Sequence, residues 1–300
     1  MTEQFKELVM SNSGQIMNTA TSISGGKTSA YMAVNYQTDF NVFALVRTDS
    51  KNCEFKDRRL AKMVEDRIQK PFIGTLEDDT IIHTIFDLEQ FLGKQIHWVS
   101  GSTFDDVVKY GGGWLPNKLH RYCTSMLKIE PIFYWWAELI GEPIKMNIGF
   151  RAGENNRVKK HRLKCNKNGL IEFKATFEKH KKGRHEGKNK WENIEWQFPN
   201  YPLFEDQIFK WEIENFWAGI NKVRFAEINN CTGCFHKKIV TLKKQYMKHP
   251  NKIQWFADQE GGKKGYWRSD ASYKKIINLP LQYELSFDDN DSCESGYCGI

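Results

Sequence analysis

Short apolar runs alternate with helix-like stretches along the first half of the chain. Met17 to Ser24 has the composition of a strand, and Ser29 to Tyr36 has the small and apolar residues of a helix packed on a sheet. Asn41 to Val46 (NVFALV) has the length of a buried parallel strand, Lys56 to Ile68 reads as a helix, and Pro71 to Gly74 as the start of a third strand. This order predicts an α/β fold: a doubly wound, mostly parallel sheet with right-handed crossovers. Further on, Glu130 to Ile140 reads as an aromatic-rich helix, Lys145 to Gly149 as an inner strand and Asp206 to Ile220 as an amphipathic helix. Trp135, Trp136, Trp211 and Trp217 lie at helical spacing and read as core.

Three hundred residues, 40% of them hydrophobic and ten of them Trp, exclude a disordered chain. No apolar run reaches the roughly 18 residues of a membrane span, and the first residues lack the basic-then-apolar order of a signal peptide, so the expected place is the cytoplasm, with no membrane partner. In that reducing setting seven cysteines are expected to be free, metal-bound or catalytic. The formal charge of +7 is concentrated. Between Val158 and Lys190 stand twelve Lys or Arg and three Glu, a local +9. Such a block either attracts a polyanion, RNA or DNA, or is a solvated insertion. The chain divides accordingly into a core over 1–157, a basic insertion over 158–199, and a mainly helical, cysteine-containing region over 200–300.

Ligands of such sheets sit beyond the C-terminal strand ends, and unusual residues follow Ile23, Val46 and Ile148. In SGGKTS, Gly25 and Gly26 let backbone amides close around a phosphate, and the helix behind them adds its dipole. Lys27 can neutralise phosphate charge, while Ser24, Thr28 and Ser29 supply hydroxyls. The spacing is not that of a Walker A loop. In GFRAGENNR, Arg151 and Arg157, with Glu154 between them, either fork onto phosphate or sulfate oxygens or form a surface charge network. Asp49 either holds adenine, ribose or Mg²⁺ or caps a turn. Cys231 and Cys234 form a C-x-x-C that can turn two thiolates toward one metal. Arg121 and Lys128 flank Cys123, where they would stabilise its thiolate or a bound anion. Cys53 reads as an ordinary thiol.

ISGGKTSAYM resembles the pyrophosphate-binding loop (PP-loop) of the adenine nucleotide α-hydrolase-like superfamily, whose signature is SGGxDS. Within it the chain is most similar to the phosphoadenosine phosphosulfate (PAPS) reductase-like family, which includes divergent phage-encoded members. RTDS at 47–50 stands where that family has an Asp-Thr-Gly loop. RYCTSMLKIEPI at 121–132 resembles its R-x-C-C-x-x-x-K-x-x-P-L element, IGFRAGENNR at 148–157 its G-x-R-x-x-E-x-x-R element, and NYPLFED at 200–206 its YPL segment. Thr28 replaces the usual aspartate, Tyr122 the first of two adjacent cysteines, and 47–50 lacks the glycine.

The resemblance implies a Rossmann-like core of the adenine nucleotide α-hydrolase type over 1–157. Ser24, Gly25, Gly26, Lys27, Thr28, Ser29, Asp49, Lys128, Arg151, Glu154 and Arg157 would bind an adenine nucleotide, ATP or a sulfonucleotide (PAPS or APS). It also implies a [4Fe-4S] cluster, or zinc, on Cys123, Cys231 and Cys234, either closed by a fourth ligand from Cys293, Cys298, Cys165 or His236 or left three-coordinate with a cluster iron open to carry sulfur. Lys27, Arg151 and Cys298 are the expected catalytic residues. Two reactions fit: reduction of a sulfonucleotide, with Cys298 attacking sulfur and a thioredoxin-like partner as reductant, or adenylation of a nucleobase oxygen followed by sulfur transfer. A third expectation is a phage-type nucleotide- or nucleic-acid-binding protein without turnover, in the host cytoplasm.

Overall fold

The computed structural model describes residues 17–110, 114–179, 181 and 185–280. Among these described residues there are eight strands: β1 (Thr19–Ile23), β2 (Phe40–Ala44), β3 (Arg47–Thr48), β4 (Gly74–Thr75), β5 (His97–Val99), β6 (Ile144–Asn147), β7 (Ile171–Lys179) and β8 (Asn189–Asn200). Six of them form one sheet in the order β5-β2-β1-β6-β8-β7. All neighbours are parallel except the edge pair β7–β8. The mostly parallel α/β sheet read from the apolar runs is therefore present.

The connecting helices are α1 (Lys27–Asn35), α2 (Arg58–Ile68), α3 (Thr80–Leu92), α4 (Phe104–Tyr110), α5 (Glu130–Leu139) and α6 (Asn155–Arg162). The C-terminal helices are α7 (Lys210–Ala218), α8 (Ile239–Lys248), α9 (Pro250–Gln259) and α10 (Tyr273–Asn278). Alternate strand residues point to opposite faces, and each face has its own helices. Ile23 and Phe43 pack with Ala30, Met32, Ile85 and Trp217 on one side; Ala20, Val42 and Ala44 pack with Ile132, Phe133 and Trp136 on the other. From β1 the chain moves to β2 and β5 on one side, whereas β6 leads to β8 on the other. The strand order reverses between β1 and β6, which places the ligand crevice of such a sheet between the loops that follow these two strands.

Three expectations need correction. The segment Pro71 to Gly74 is not a third strand of the sheet; β4 pairs antiparallel with β3 in a separate two-stranded ribbon. Its Gly74 passes so close to Cys53 that a Cβ would lie 2.0 Å from the Cys53 carbonyl oxygen. The third parallel strand is β5, reached through α3, a helix whose signals are legible afterwards: apolar Ile81, Ile82, Ile85 and Leu88, then Gly93 in the left-handed conformation (φ 61°). Trp211 is not core. It is 60% exposed, because α7 turns Ile213 and Trp217 inward instead. The basic stretch 158–199 supplies most of α6, all of β7 and all but the last residue of β8, so it is built into the sheet. Among the described residues no helix is long and apolar enough to cross a membrane.

On α6, His161 is 1% exposed and its Nδ1 lies 2.8 Å from the Tyr201 hydroxyl. Burial, with Lys164 and Arg157 nearby, pushes its pKa down to about 4. The unfolded chain then binds a proton that the fold refuses, so stability falls as the pH drops from about 6.5 towards 4, by roughly 3 kcal/mol in the limit. His236, also pushed down to about 4, acts in the same window. Urea unfolding at several pH values across this interval should show the slope, and His161→Gln should remove about half of it; an unchanged slope in the variant refutes the assignment.

Candidate functional site

Three adjoining cavities lie over the C-terminal ends of β1, β2 and β6. The largest, about 390 Å³, opens at the start of α1. Lys27 and Thr28 line it from that helix, Arg151 from the loop after β6, and Lys210, Lys237 and Lys244 from the C-terminal region. Five cations against two carboxylates, Glu214 and Glu227, give it an anion-binding character. The start of α1 has no side-chain cap, so its first amides and dipole add to that field.

The loop itself is built in two parts. Ser29 accepts a hydrogen bond from the Ser24 amide at 3.1 Å, donates to the Gly26 carbonyl at 3.1 Å and lies 3.1 Å from the Ser24 hydroxyl. Ser24, Gly25, Gly26 and Ser29 are buried by these contacts, and Gly25 bends the chain at φ 77°. The exposed side chain of Lys27 and the lining residue Thr28 are what the loop turns toward the cleft. Arg151 reaches Thr28 Oγ1 at 3.5 Å. Glu154 accepts from the Arg151 amide at 2.7 Å and pairs with Arg157, which lies over the Phe150 ring at 4.7 Å. Glu154 and Arg157 thus hold the loop that carries Arg151. Asp49 lines none of these cavities; its carboxylate accepts from Thr103 at 2.9 Å, and its loop is held by Asp105. Arg47 in the same RTDS element is likewise structural, donating to Ser100, Pro71 and Gly101.

The second cavity is narrow, about 50 Å³, and is lined by Cys123, Cys231 and Cys234 with Arg121, Lys128 and His236. These residues are up to 115 positions apart in the chain, and several local contacts bring them together. Cys231 bridges to Glu77 in an antiparallel pair, and Thr232 binds the Leu76 carbonyl through both its amide (2.8 Å) and its hydroxyl (2.9 Å). The Tyr273 hydroxyl holds the Gly233 carbonyl at 2.7 Å, and a Cβ on Gly233 would lie 2.2 Å from the Phe256 ring. Facing them, Cys123 precedes a π-helical turn, Ser125–Ile129, that aims Lys128 at Glu77 (2.9 Å). The third cavity lies between Ser24, Thr124 and Lys128.

Burial and the neighbouring Cys234 push the Cys123 pKa up to about 11, against the opposing effect of Arg121, while Lys128 is engaged by Glu77. Cys231 is raised further by burial and by Glu77. Burial holds His236 as a neutral ring, and its Nε2 is buried without a hydrogen-bond partner. Among the described residues no set of three His, Cys, Asp or Glu side chains is gathered closely enough to form a metal site by itself. Cys165 lies elsewhere, bridging to Ile171, and Cys53 is buried against the Asn251 carbonyl. Cys293 and Cys298 lie outside the described residues. Sequence reasoning missed Glu77 and the cleft cations Lys210, Lys237 and Lys244, which no local motif marks.

No family model, no curated protein and no solved structure matches this chain.

Proposed function

We propose that the chain is a PP-loop, PAPS reductase-like enzyme that binds an adenine nucleotide in the Lys27–Arg151 cleft and carries out sulfur chemistry at the Cys123–Cys231–Cys234 cavity. One observation carries this reading: the two cavities share Asn230 and His236 as a common wall, so phosphates in the first are next to thiols in the second. Lys128 and Thr124 in turn join the thiol cavity to the space beside Ser24.

In this reading the first turn of α1, Lys27 and Arg151 neutralise the phosphates and stabilise the charge that develops on departing pyrophosphate. Glu154 keeps Arg151 in place. The oxygen of an acceptor attacks the α-phosphorus, its bond to phosphorus forms as the bond to pyrophosphate breaks, and a sulfide-level sulfur then attacks the carbon that bears the adenylated oxygen, its bond to carbon forming as the C–O bond breaks and AMP departs. The alternative chemistry is sulfonucleotide reduction, with Cys298 as the nucleophile. Cys123, Cys231 and Cys234, with the unpartnered Nε2 of His236, suit zinc or an iron–sulfur cluster as soft donors. When bound, such a centre supplies positive charge that keeps buried thiols ionised.

The test is nucleotide binding and pyrophosphate release with ATP, and with PAPS as the alternative ligand. Arg151→Ala should weaken binding roughly 10- to 100-fold, the value of a charge-assisted hydrogen bond. Cys231→Ser should leave binding intact and abolish sulfur transfer. Binding without pyrophosphate release would identify a non-catalytic binder, and no binding of either nucleotide sinks the proposal.

A further inference from the structure

The β7–β8 hairpin extends past the sheet that carries it. β8 pairs with β6 only over Gln197–Asn200, whereas its ladder with β7 continues to Lys179 opposite Asn189. On this projecting arm two large rings face solvent, Phe177 at 60% and Trp191 at 55% exposure. The register shift between Ala175 and Glu178 sets Thr176 and Phe177 together against the single residue Trp191. Such a bulge re-aims side chains. Phe177 is backed edge-on by Tyr134 at 5.9 Å and lies 6.1 Å from Phe133, so its ring is held from behind.

The charge around these rings is mixed but cationic on balance: Glu178 and Glu192 follow the two rings in the chain, while residues 158–190 carry twelve Lys or Arg against three Glu. Residues 179–190 contain six Lys or Arg and one Glu. Lys174, Lys179, Lys188 and Lys190 are all exposed on the same arm, and Lys190 pairs with Glu192. A ring held in place beside a second exposed ring, both interleaved with cations, forms the pattern that stacks unpaired bases and follows their phosphates. An acidic peptide would use the cations and leave the rings without a purpose. A duplex would hide its base faces from them.

We propose that the β7–β8 arm grips single-stranded nucleic acid, with Trp191 and Phe177 stacking bases and the arm's lysines pairing phosphates. This deepens the function proposed above, on which it rests for its chemistry alone, by giving the acceptor class as a nucleobase in a polynucleotide. Binding is measured without nucleotide, so the two readings can fail separately.

The probe is a labelled single strand of about 12 nucleotides, within the site size of such grooves, as RNA and as DNA, compared with the duplex by fluorescence anisotropy on the full chain. Single strands should bind more tightly than duplex, and the tighter of the two names the acceptor. Trp191→Ala should weaken binding roughly 5- to 100-fold, Trp191→Phe should restore most of it, and both should melt like the parent because the ring is exposed. The double variant Lys188→Gln, Lys190→Gln should flatten the slope of log affinity against log salt by about 1.4. Arg151→Ala should leave strand binding unchanged. Absence of single-strand binding, preference for duplex, or full affinity in Trp191→Ala would each overturn the inference; tight binding to an acidic peptide with none to RNA or DNA would do so as well.

Discussion

Lys128→Met is expected to destabilise the chain by about 3–5 kcal/mol, the cost of leaving one partner of a buried ion pair alone. Glu77 is 1% exposed, and its Oε1 takes the Lys128 ammonium at 2.9 Å while Oε2 has no hydrogen-bond partner. Burial opposes the Lys128 charge, but Glu77 outweighs it and raises the lysine pKa. Methionine fills similar space and removes the charge, so the carboxylate stays buried without a counterion. The surroundings cannot shift to compensate. Lys252 holds the Glu77 carbonyl at 2.5 Å and Asp79 at 2.7 Å, and Asp78 is tied to His249 at 3.0 Å. At about 2–4 °C per kcal/mol for a chain of this class, the melting point should fall by roughly 10 °C. Adding Glu77→Gln to Lys128→Met should recover most of the loss, because no charge then remains buried. A single variant that melts with the parent would show that the pair is solvated.

Gly25→Val should fail twice over. At φ 77° a β-branched residue is strained, and a Cβ there would lie 2.5 Å from Ile81 Cγ2. Ile81 is buried on α3, so neither side can yield cheaply. Strain and overpacking together cost about 2–5 kcal/mol. The displaced bend also carries Lys27 and Thr28 out of the cleft, so nucleotide affinity should be lost in whatever fraction folds. Gly153→Val separates the two causes: φ is 83° there, with nothing within 4 Å of the added Cβ, so only the strain is felt. Equal stability of the two variants would remove the steric argument for Gly25.

Much of the frame was legible in the chain because it is locally encoded. A strand of five residues followed by two glycines and a helix start needs only neighbours in sequence, and β1, α1, β2, α2, α5 and β6 stand within a few residues of their expected bounds. The roles inside the motifs were less legible. Ser24 and Ser29 look like phosphate donors in the string SGGKTS, yet their hydroxyls close the loop on itself. Cys123 looks activated by its cationic neighbours, but desolvation, which depends on the whole fold, raises its pKa.

The sequence by itself determined the parallel α/β frame, the loop at the head of α1, the C-x-x-C turn and the basic block, since each rests on periodicity, turn chemistry or charge over a few residues. Tertiary structure alone decided that Glu77 meets Lys128, that three distant cysteines line one cavity beside the Lys27–Arg151 cleft, and that the basic block forms part of a helix and then a sheet-edge hairpin. These outcomes depend on contacts between residues far apart in the chain, whose energies come from burial and excluded water, and no local pattern encodes them.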